Sequence, residues 1–254
     1  MSYLPFFLSA NLMNSLPDYS IIIPAYNEAA FLSKTLASVK DAQSRFVSSG
    51  EIIVVDNNST DNTAQIAKDF GAAVVFEPVN QISRARNAGA KAAKGEYLIF
   101  LDADTVLSEQ LLRKTLELLD SGKIAGGGTV LDTTQTKLFK IKLLLKLWNF
   151  ISRFRKLAAG LYLFCLKKAW LDIGGFDESV YVGEELIFSK ELKQWAKKQK
   201  NSMTFRILNI PVCTSLRKFQ WFSYTTIVFS LAFGWFVKKN KSKCRLWYDR
   251  RPIH

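Results

Sequence analysis

The chain has 254 residues, 48% of them hydrophobic and 22% charged, which is enough to bury the core of one large domain or two small ones. Its single histidine is His254, which excludes an internal Ser-His-Asp triad, a histidine-based zinc site and a histidine general base. The three cysteines are widely spaced, which argues against a disulfide framework and favours a reducing cytoplasm.

The net charge of +13 is unevenly distributed along the sequence. Residues 1–132 carry 11 Lys and Arg against 15 Asp and Glu, whereas residues 133–254 carry 24 against 7. This asymmetry predicts an anionic partner near the second half. Residues 1–18 form an N-terminal extension that lacks a basic start and contains Pro5, so it is a poor signal peptide.

From residue 19 onwards, short β-rich runs alternate with segments of helical periodicity. The predicted strands are Ser20–Pro24, Ile52–Asp56, Ala73–Phe76 and Tyr97–Asp102. Such alternation is typical of βαβ units, so we expect an α/β fold with a mostly parallel, Rossmann-like sheet flanked by helices. No Gly-x-Gly-x-x-Gly or Gly-Lys-Ser/Thr loop is present, which argues against nicotinamide cofactors and ATP hydrolysis.

Polar clusters follow three of the predicted strands, at residues 24–28, 56–61 and 102–104. Ligands bind at the carboxyl ends of strands in such sheets, so these clusters are expected to converge. Asp102 and Asp104 project to the same side of their strand, and two close carboxylates favour a divalent cation between them. Taken alone, the same residues could simply cap the following helix.

Five motifs occur in order over residues 19–191: residues 22–28 (IIPAYNE), 54–63 (VVDNNSTDNT), 85–89 (ARNAG), 100–104 (FLDAD), and 173–178 (IGGFDE) followed by Gly-Glu-Glu at 183–185. Together they resemble family 2 inverting glycosyltransferases with the GT-A, nucleotide-diphospho-sugar-binding fold. The resemblance implies a glycosyltransferase domain over residues 19–210. Its nucleotide-sugar half would be 19–132, its basic amphipathic helix 133–158 and its acceptor half 159–210.

The resemblance also assigns residues to the donor site. The expected nucleotide-sugar ligands are Pro24, Ala25, Tyr26, Glu28, Asp56, Asn58, Arg86, Asn87, Asp102, Ala103, Arg217 and Lys218. Among them, Asp56 would accept hydrogen bonds from the base, while Arg86 and Asn87 would lie near the base or the diphosphate. Asp102 would face the ribose or sugar, and Asp104 would hold Mg²⁺ or Mn²⁺ against the diphosphate.

An inverting transfer needs a base that takes the proton of the acceptor hydroxyl. The family supplies it from a Glu-Asp pair that opens a helix, and this chain has Glu184-Glu185 at that place. We therefore expect Glu185 to be the base and Glu184 to orient the acceptor or its loop, with Asp102 as the third catalytic residue. Acidic residues also favour the first turn of a helix through its dipole, which is the alternative interpretation.

The resemblance favours uridine diphosphate as the leaving group, with guanosine diphosphate as the alternative. The Gln-x-x-Arg-Trp motif of processive synthases is absent, so transfer of a single sugar is expected. Arg217 and Lys218 resemble a tail of non-processive members that reaches the diphosphate; a solvated pair beside a helix is equally compatible with the sequence.

Two segments of the basic second half suggest contact with an anionic membrane surface. In residues 137–157, which contain no acidic residue, basic side chains (Lys142, Lys146, Arg153 and Lys156) lie opposite apolar ones (Ile141, Leu144, Leu145, Trp148 and Ile151). That apolar face predicts a membrane-interface helix, unless it packs on the sheet. Residues 219–237 are uncharged and aromatic, and they predict a second interface helix in a membrane-associating segment, 211–254. The alternatives are a helix that packs against the amphipathic one and, less favoured because 19 residues are at the short end of the roughly 17 to 25 required, a helix that spans the bilayer.

These features predict a peripheral protein at the cytoplasmic face of a membrane, with a lipid-linked or cell-envelope glycan acceptor. A nucleic-acid-binding module would explain the basic charge but not the four carboxylates at 102, 104, 184 and 185, so nucleic acid is an improbable partner. A catalytically inactive relative that only binds a nucleotide-sugar is a further alternative, because Glu185 replaces Asp. The sequence leaves the sugar and the oligomeric state open.

Overall fold

The computed structural model describes residues 16–215 together with residues 217, 240, 244 and 248. Within this part of the chain the strands are β1 Tyr19–Ala25, β2 Gly50–Asp56, β3 Ala73–Phe76, β4 Tyr97–Leu101, β5 Thr105–Val106, β6 Ile124–Leu131, β7 Tyr162–Leu166 and β8 Thr204–Thr214. The helices are α1 Ala29–Gln43, α2 Thr63–Asp69, α3 Ile82–Ala92, α4 Glu109–Asp120, α5 Phe139–Arg155, α6 Lys167–Ile173 and α7 Glu184–Lys198.

The strands form one sheet in the order β3-β2-β1-β4-β7-β6-β8-β5. Strands β1 to β4 are parallel, as predicted, and they match the four predicted strands closely. The expectation of a mostly parallel sheet holds only in part for the other half. Strands β6 and β8 are parallel, but β7 runs antiparallel to both β4 and β6, and β5 runs antiparallel to β8. The sheet is therefore mixed. Hydrophobic runs predict strands but not the direction in which distant strands pair.

Both faces of the sheet are covered by helices, which explains why the central strands are apolar throughout. Every residue of β1 is buried. One face packs against α1 and α4, and the other packs against α3, α6 and α7. On the second face Phe176 stacks on Phe188 of α7, with ring centroids 4.2 Å apart, and meets Phe100 of β4 edge to face at 4.9 Å. This aromatic cluster fixes the first half of α7 against the end of β4.

Strand β6 carries three consecutive buried glycines, Gly126, Gly127 and Gly128. A Cβ at Gly126 would lie within 3 Å of Leu192 on α7, and one at Gly128 would lie 2.5 Å from the Cβ of Ala158. The absence of side chains lets neighbouring elements approach the sheet closely.

Helix α5 lies within the predicted range 133–158, but its predicted membrane face is turned inward. Ile141 and Leu145 are buried against the protein. Asn149 anchors the helix to the end of β6, since its side chain both donates to and accepts from the backbone of Leu131 at 2.8 Å. The packing alternative therefore holds for this face, because its large apolar side chains fill space beside β6.

Among the described residues, no helix has the length and apolar character needed to cross a membrane. The predicted interface helix at 219–237 lies outside the described residues, as does Lys218.

Candidate active site

The first part of the site is the edge of the sheet where β1 and β2 end. Asp56 is the last residue of β2, is buried, and accepts a hydrogen bond from the Ser59 amide at 2.9 Å. Asn27 joins the two loops, because its amide donates to the Ser59 hydroxyl at 3.0 Å and its side-chain oxygen accepts from the Thr60 amide at 2.8 Å. Asn27 and the exposed Asn58 both have left-handed backbone angles, with φ of 52° and 68°. Hydrogen bonds thus join the two loops into one edge.

The other donor-site residues of this edge differ in exposure. Pro24 and Ala25 are buried in β1, and Tyr26 is half-buried beyond the strand end. Ala103 is also buried, and its carbonyl accepts a hydrogen bond from the Thr35 hydroxyl at 2.8 Å. Ala103 therefore turns into the core while Asp102 and Asp104 on either side remain partly exposed. This is the alternation expected for the Asp-x-Asp triplet.

A buried arginine joins two acidic residues of this edge. Arg217 contacts both carboxylate oxygens of Glu28, with its Nη1 2.6 Å from Oε2, and its Nη2 lies 3.3 Å from Asp104 Oδ2. Glu28 is 3% exposed and Arg217 is 7% exposed. Although burial lowers it, the pKa of Arg217 is raised overall by Glu28 and Asp104, so this arginine stays protonated. Bidentate contact of this kind is geometrically specific.

Asp104, the residue predicted to hold a divalent ion, already has three polar partners. Its Oδ1 accepts from the Thr214 hydroxyl at 3.2 Å, and its Oδ2 accepts from the Ser215 hydroxyl. Together with Arg217 this uses three of the roughly four lone-pair directions of a carboxylate. Among the described residues no cluster of three or more acidic, cysteine or histidine side chains could hold a metal. Mg²⁺ needs only one or two carboxylates when phosphate oxygens and water complete the shell, so Asp104 fits an ion that arrives with a diphosphate.

A second buried arginine connects β4 to α7. Nη1 of Arg86 lies 2.8 Å from Glu184 Oε1, and its Nη2 lies 3.3 Å from Asp102 Oδ1 and donates to the Gly160 carbonyl at 2.7 Å. Arg86 is 2% exposed. Burial lowers its pKa, but Glu184 and the neighbouring carboxylates raise it overall, so the guanidinium remains charged. The buried guanidinium of Arg86 therefore holds the partly exposed Asp102 and the buried start of α7 together.

Glu184 and Glu185 open α7, after Gly183 in the left-handed conformation with φ of 87°. Glu184 is buried, whereas Glu185 is half-exposed. Burial raises the pKa of Glu184 to about 8, with a further contribution from Glu185, while Arg86 lowers it. Burial likewise raises the pKa of Glu185, again opposed by Arg86. Paired carboxyl groups whose pKa values are raised above the ordinary range of glutamate are suited to proton transfer.

Asn87 connects α3 to the turn that precedes α7. Its side-chain nitrogen donates to the Phe176 carbonyl at 2.9 Å and to Glu178 Oε1 at 3.0 Å, and its oxygen accepts from the Phe176 amide at 2.9 Å. A role for Asn87 near the base or diphosphate stays a prediction. Its observed contacts hold Phe176 and Glu178 of the segment before α7 in place.

Two residues that sequence reasoning missed also hold this turn. Buried Gln81 donates to the carbonyls of Glu178 and Val180, both at 2.8 Å. The hydroxyl of Tyr248 donates to the Tyr181 carbonyl at 3.1 Å. Neither belongs to a motif, and both act at sequence separations of more than 60 residues, so no local signal could have identified them.

Known proteins resemble this chain in sequence and in fold. The sequence model described as glycosyl transferase family 2 matches residues 20–168. Glycosyltransferase AglE of Haloferax volcanii is 31% identical over 189 residues, which cover 70% of this chain and 62% of AglE. TarS of S. aureus in complex with UDP-GlcNAc superimposes with a TM-score of 0.59 and 19% identity, covering 78% of this chain and 58% of that one. The mannosyltransferase PcManGT from Pyrobaculum calidifontis, in complex with GDP-Man and Mn²⁺, superimposes with a TM-score of 0.58 and 19% identity, covering 78% of this chain and 58% of that one.

These solved structures share the fold of this chain. The chain spans 62% of the length of AglE, 58% of the PcManGT chain, and 58% of the TarS fragment 1-349, but only 37% of the longer TarS chain.

Proposed function

Because the chain belongs to glycosyl transferase family 2 and is therefore a glycosyltransferase, we propose that it is an inverting, non-processive enzyme that uses a nucleotide-diphospho-sugar. The observation that carries this proposal is the junction made by Arg86, which brings Asp102 of the donor edge next to the Glu184-Glu185 pair on α7. A donor and an acceptor bound on the two sides of this junction would meet beside carboxyl groups able to take a proton. Bringing them together is itself a large part of catalysis.

The donor would lie along the ends of β1, β2 and β4. Asp56 can accept hydrogen bonds from the N–H groups of a nucleobase. We propose uridine as that base, with guanosine as the alternative; solved structures with the same fold include a complex with UDP-GlcNAc and a complex with GDP-Man. Asp104 would hold Mn²⁺ or Mg²⁺ together with the diphosphate. Such an ion neutralises the charge that develops on the departing nucleoside diphosphate.

Proton removal would fall to Glu185. As the acceptor oxygen bonds to the anomeric carbon, the bond from that carbon to the diphosphate breaks on the opposite face, and the hydroxyl proton passes to the Glu185 carboxylate. The raised pKa makes this carboxylate a stronger base than an ordinary glutamate. Glu184 is held by Arg86 and would orient the acceptor loop. For the acceptor we propose a lipid-linked or cell-envelope glycan precursor, because phosphate groups on such a precursor suit the basic second half.

The decisive experiment is calorimetric titration of uridine and guanosine diphosphates, with and without Mn²⁺. We expect one nucleotide to bind in a metal-dependent way, and Asp104→Ala to abolish that dependence. The matched control is Asp41→Ala, which removes an exposed carboxylate on α1. If neither nucleotide binds in the presence of metal, the proposal fails, and nucleic acid binding by the basic half becomes the function to test.

The base is tested separately with Glu185→Gln. This variant should bind the nucleotide with unchanged affinity and lose transfer, as measured by nucleotide release from a panel of nucleotide-sugars in the presence of acceptor extracts. Unchanged turnover would exclude Glu185 as the base. If the wild type binds donor but never releases nucleotide, the protein is an inactive relative.

A further inference from the structure

Helix α5 has a second apolar face, which points away from the protein. Its members are large side chains that remain more than half exposed: Phe139 (76%), Leu143 (55%), Leu147 (53%), Phe150 (59%) and Phe154 (76%). We refer to these five residues as the outer stripe. They are spaced by four, four, three and four positions, so they follow one another along a single face of the helix.

The outer stripe lies opposite the buried face of α5. At 3.6 residues per turn, Leu143 is about half a turn away from Ile141 and Leu145, which pack inward. The rings of Phe150 and Phe154 stack on each other, with centroids 6.2 Å apart and planes 6° from parallel. The helix therefore presents an ordered aromatic surface to its surroundings. A continuous exposed apolar surface of this kind usually marks an interaction site.

Basic side chains border the outer stripe on both sides. Helical geometry places Lys142, Lys146 and Arg153 along one border and Lys140 and Arg155 along the other, and all five are exposed. Among the described residues none of them forms an ion pair with a carboxylate, and the sequence contains no Asp or Glu from residue 133 to residue 171. The apolar band and its cationic borders form one surface.

We infer that the outer stripe of α5 inserts into the interface of an anionic phospholipid bilayer, with the helix lying in the membrane plane. A bilayer supplies acyl chains for the aromatic side chains and phosphate groups for the cations on both borders. The uncharged segment 219–237 of the same chain could cover the apolar band but would leave the cations unmatched. A second copy of α5 would place like charges face to face.

This surface differs from the membrane face expected from the sequence, which packs inward. It is also independent of the proposed reaction, because binding to vesicles requires neither donor nor acceptor.

The test is co-sedimentation of the full chain with vesicles of phosphatidylcholine alone or mixed with phosphatidylglycerol. The stripe variant is Phe150→Ser with Phe154→Ser. The matched control is Phe76→Ser with Leu171→Ser, which removes two apolar side chains that are 61% and 58% exposed elsewhere on the surface. We expect wild type and control to bind mixed vesicles, and the stripe variant to bind at least about tenfold more weakly. Because all four positions are exposed, thermal melting should be unchanged.

Charge is tested with Lys142→Ser and Lys146→Ser, which should weaken binding to mixed vesicles and reduce its sensitivity to salt. Three results would overturn the inference. The first is a stripe variant that binds mixed vesicles as well as the wild type does. The others are a wild type that fails to bind mixed vesicles, and a wild type that binds phosphatidylcholine vesicles and mixed vesicles equally well. If the stripe variant binds vesicles like the wild type but has a lower molecular mass in solution by analytical ultracentrifugation, the outer stripe contacts a second copy of the chain instead.

Discussion

Removing the guanidinium of Arg86 should strongly destabilise the protein, and in a way that depends on pH. The side chains of Arg86 and Glu184 are 3% and 6% exposed, and they form a 2.8 Å ion pair. Arg86→Leu roughly preserves the side-chain volume at position 86 but leaves Glu184 buried without its cation. At pH values above the pKa of Glu184, where both groups are charged, breaking a buried ion pair in this way typically costs about 3–5 kcal/mol.

The pH dependence follows from the pKa of Glu184. Burial raises that pKa to about 8 in the folded protein, and Arg86 is the group that lowers it, so Arg86→Leu raises it further. A carboxyl whose pKa is higher in the folded state contributes stability that is present below its unfolded pKa of roughly 4.3 and is lost as the pH rises through the folded value. In the variant, Glu184 can stay neutral at low pH. The destabilisation should therefore be smallest in acid and should grow towards pH values above about 8.

Urea unfolding followed by tryptophan fluorescence at about pH 5.5 and about pH 8.5 measures both quantities. Combining Arg86→Leu with Glu184→Gln removes the titrating carboxyl, and it should restore part of the lost free energy of unfolding and remove most of the added pH dependence. A cost below about 1 kcal/mol at both pH values, or a cost that shrinks as the pH rises, would refute the reasoning.

Three further changes test other parts of the structure. Thr115→Val should cost about 1–3 kcal/mol of unfolding free energy, because it leaves the buried hydroxyl of Tyr162 without its 2.8 Å partner; an unchanged urea midpoint would contradict this. Lys156→Gly should raise the unfolding free energy by about 1 kcal/mol, since Lys156 ends α5 in the left-handed region with φ of 51°; a lower midpoint would show that the lysine side chain matters more than backbone strain. Asn87→Ala should lower the rate of transfer at least about tenfold while nucleotide affinity is retained, because the amide holds the backbone of Phe176 on the acceptor side. A large loss of nucleotide affinity would instead support the predicted position near the base or diphosphate.

The parts of the fold that could be predicted are those encoded locally. Strands β1 to β4 are short, mainly apolar runs at whose ends polar residues lie, and strand alternation accounts for Asp102 and Asp104 facing the same side while Ala103 is buried. Their convergence with Asp56 follows from parallel pairing, which βαβ units enforce.

The remainder depends on contacts between distant residues. Arg217 binds Glu28 across 189 positions and Arg86 binds Glu184 across 98, and nothing in either local sequence specifies these partners. Helix α5 is apolar on two faces, and its sequence does not show which of them is buried. The sequence pattern predicts one apolar face and one basic face. Leu147 and Phe150 lie between the basic positions, and the structure shows that they belong to a second, exposed apolar face.

The three glycines of β6 bear on how deeply the proposed base sits in the molecule. Because Gly126 has no side chain, Leu192 brings α7 down onto the strand, and Glu185 lies on the same rigid helix less than two turns earlier. Even one added methyl group at Gly126 would meet the Phe164 carbonyl, Leu192 and Cys165 at once. The absence of a side chain at Gly126 thus sets how closely α7 approaches β6, and with it the distance of the Glu185 carboxylate from the sheet.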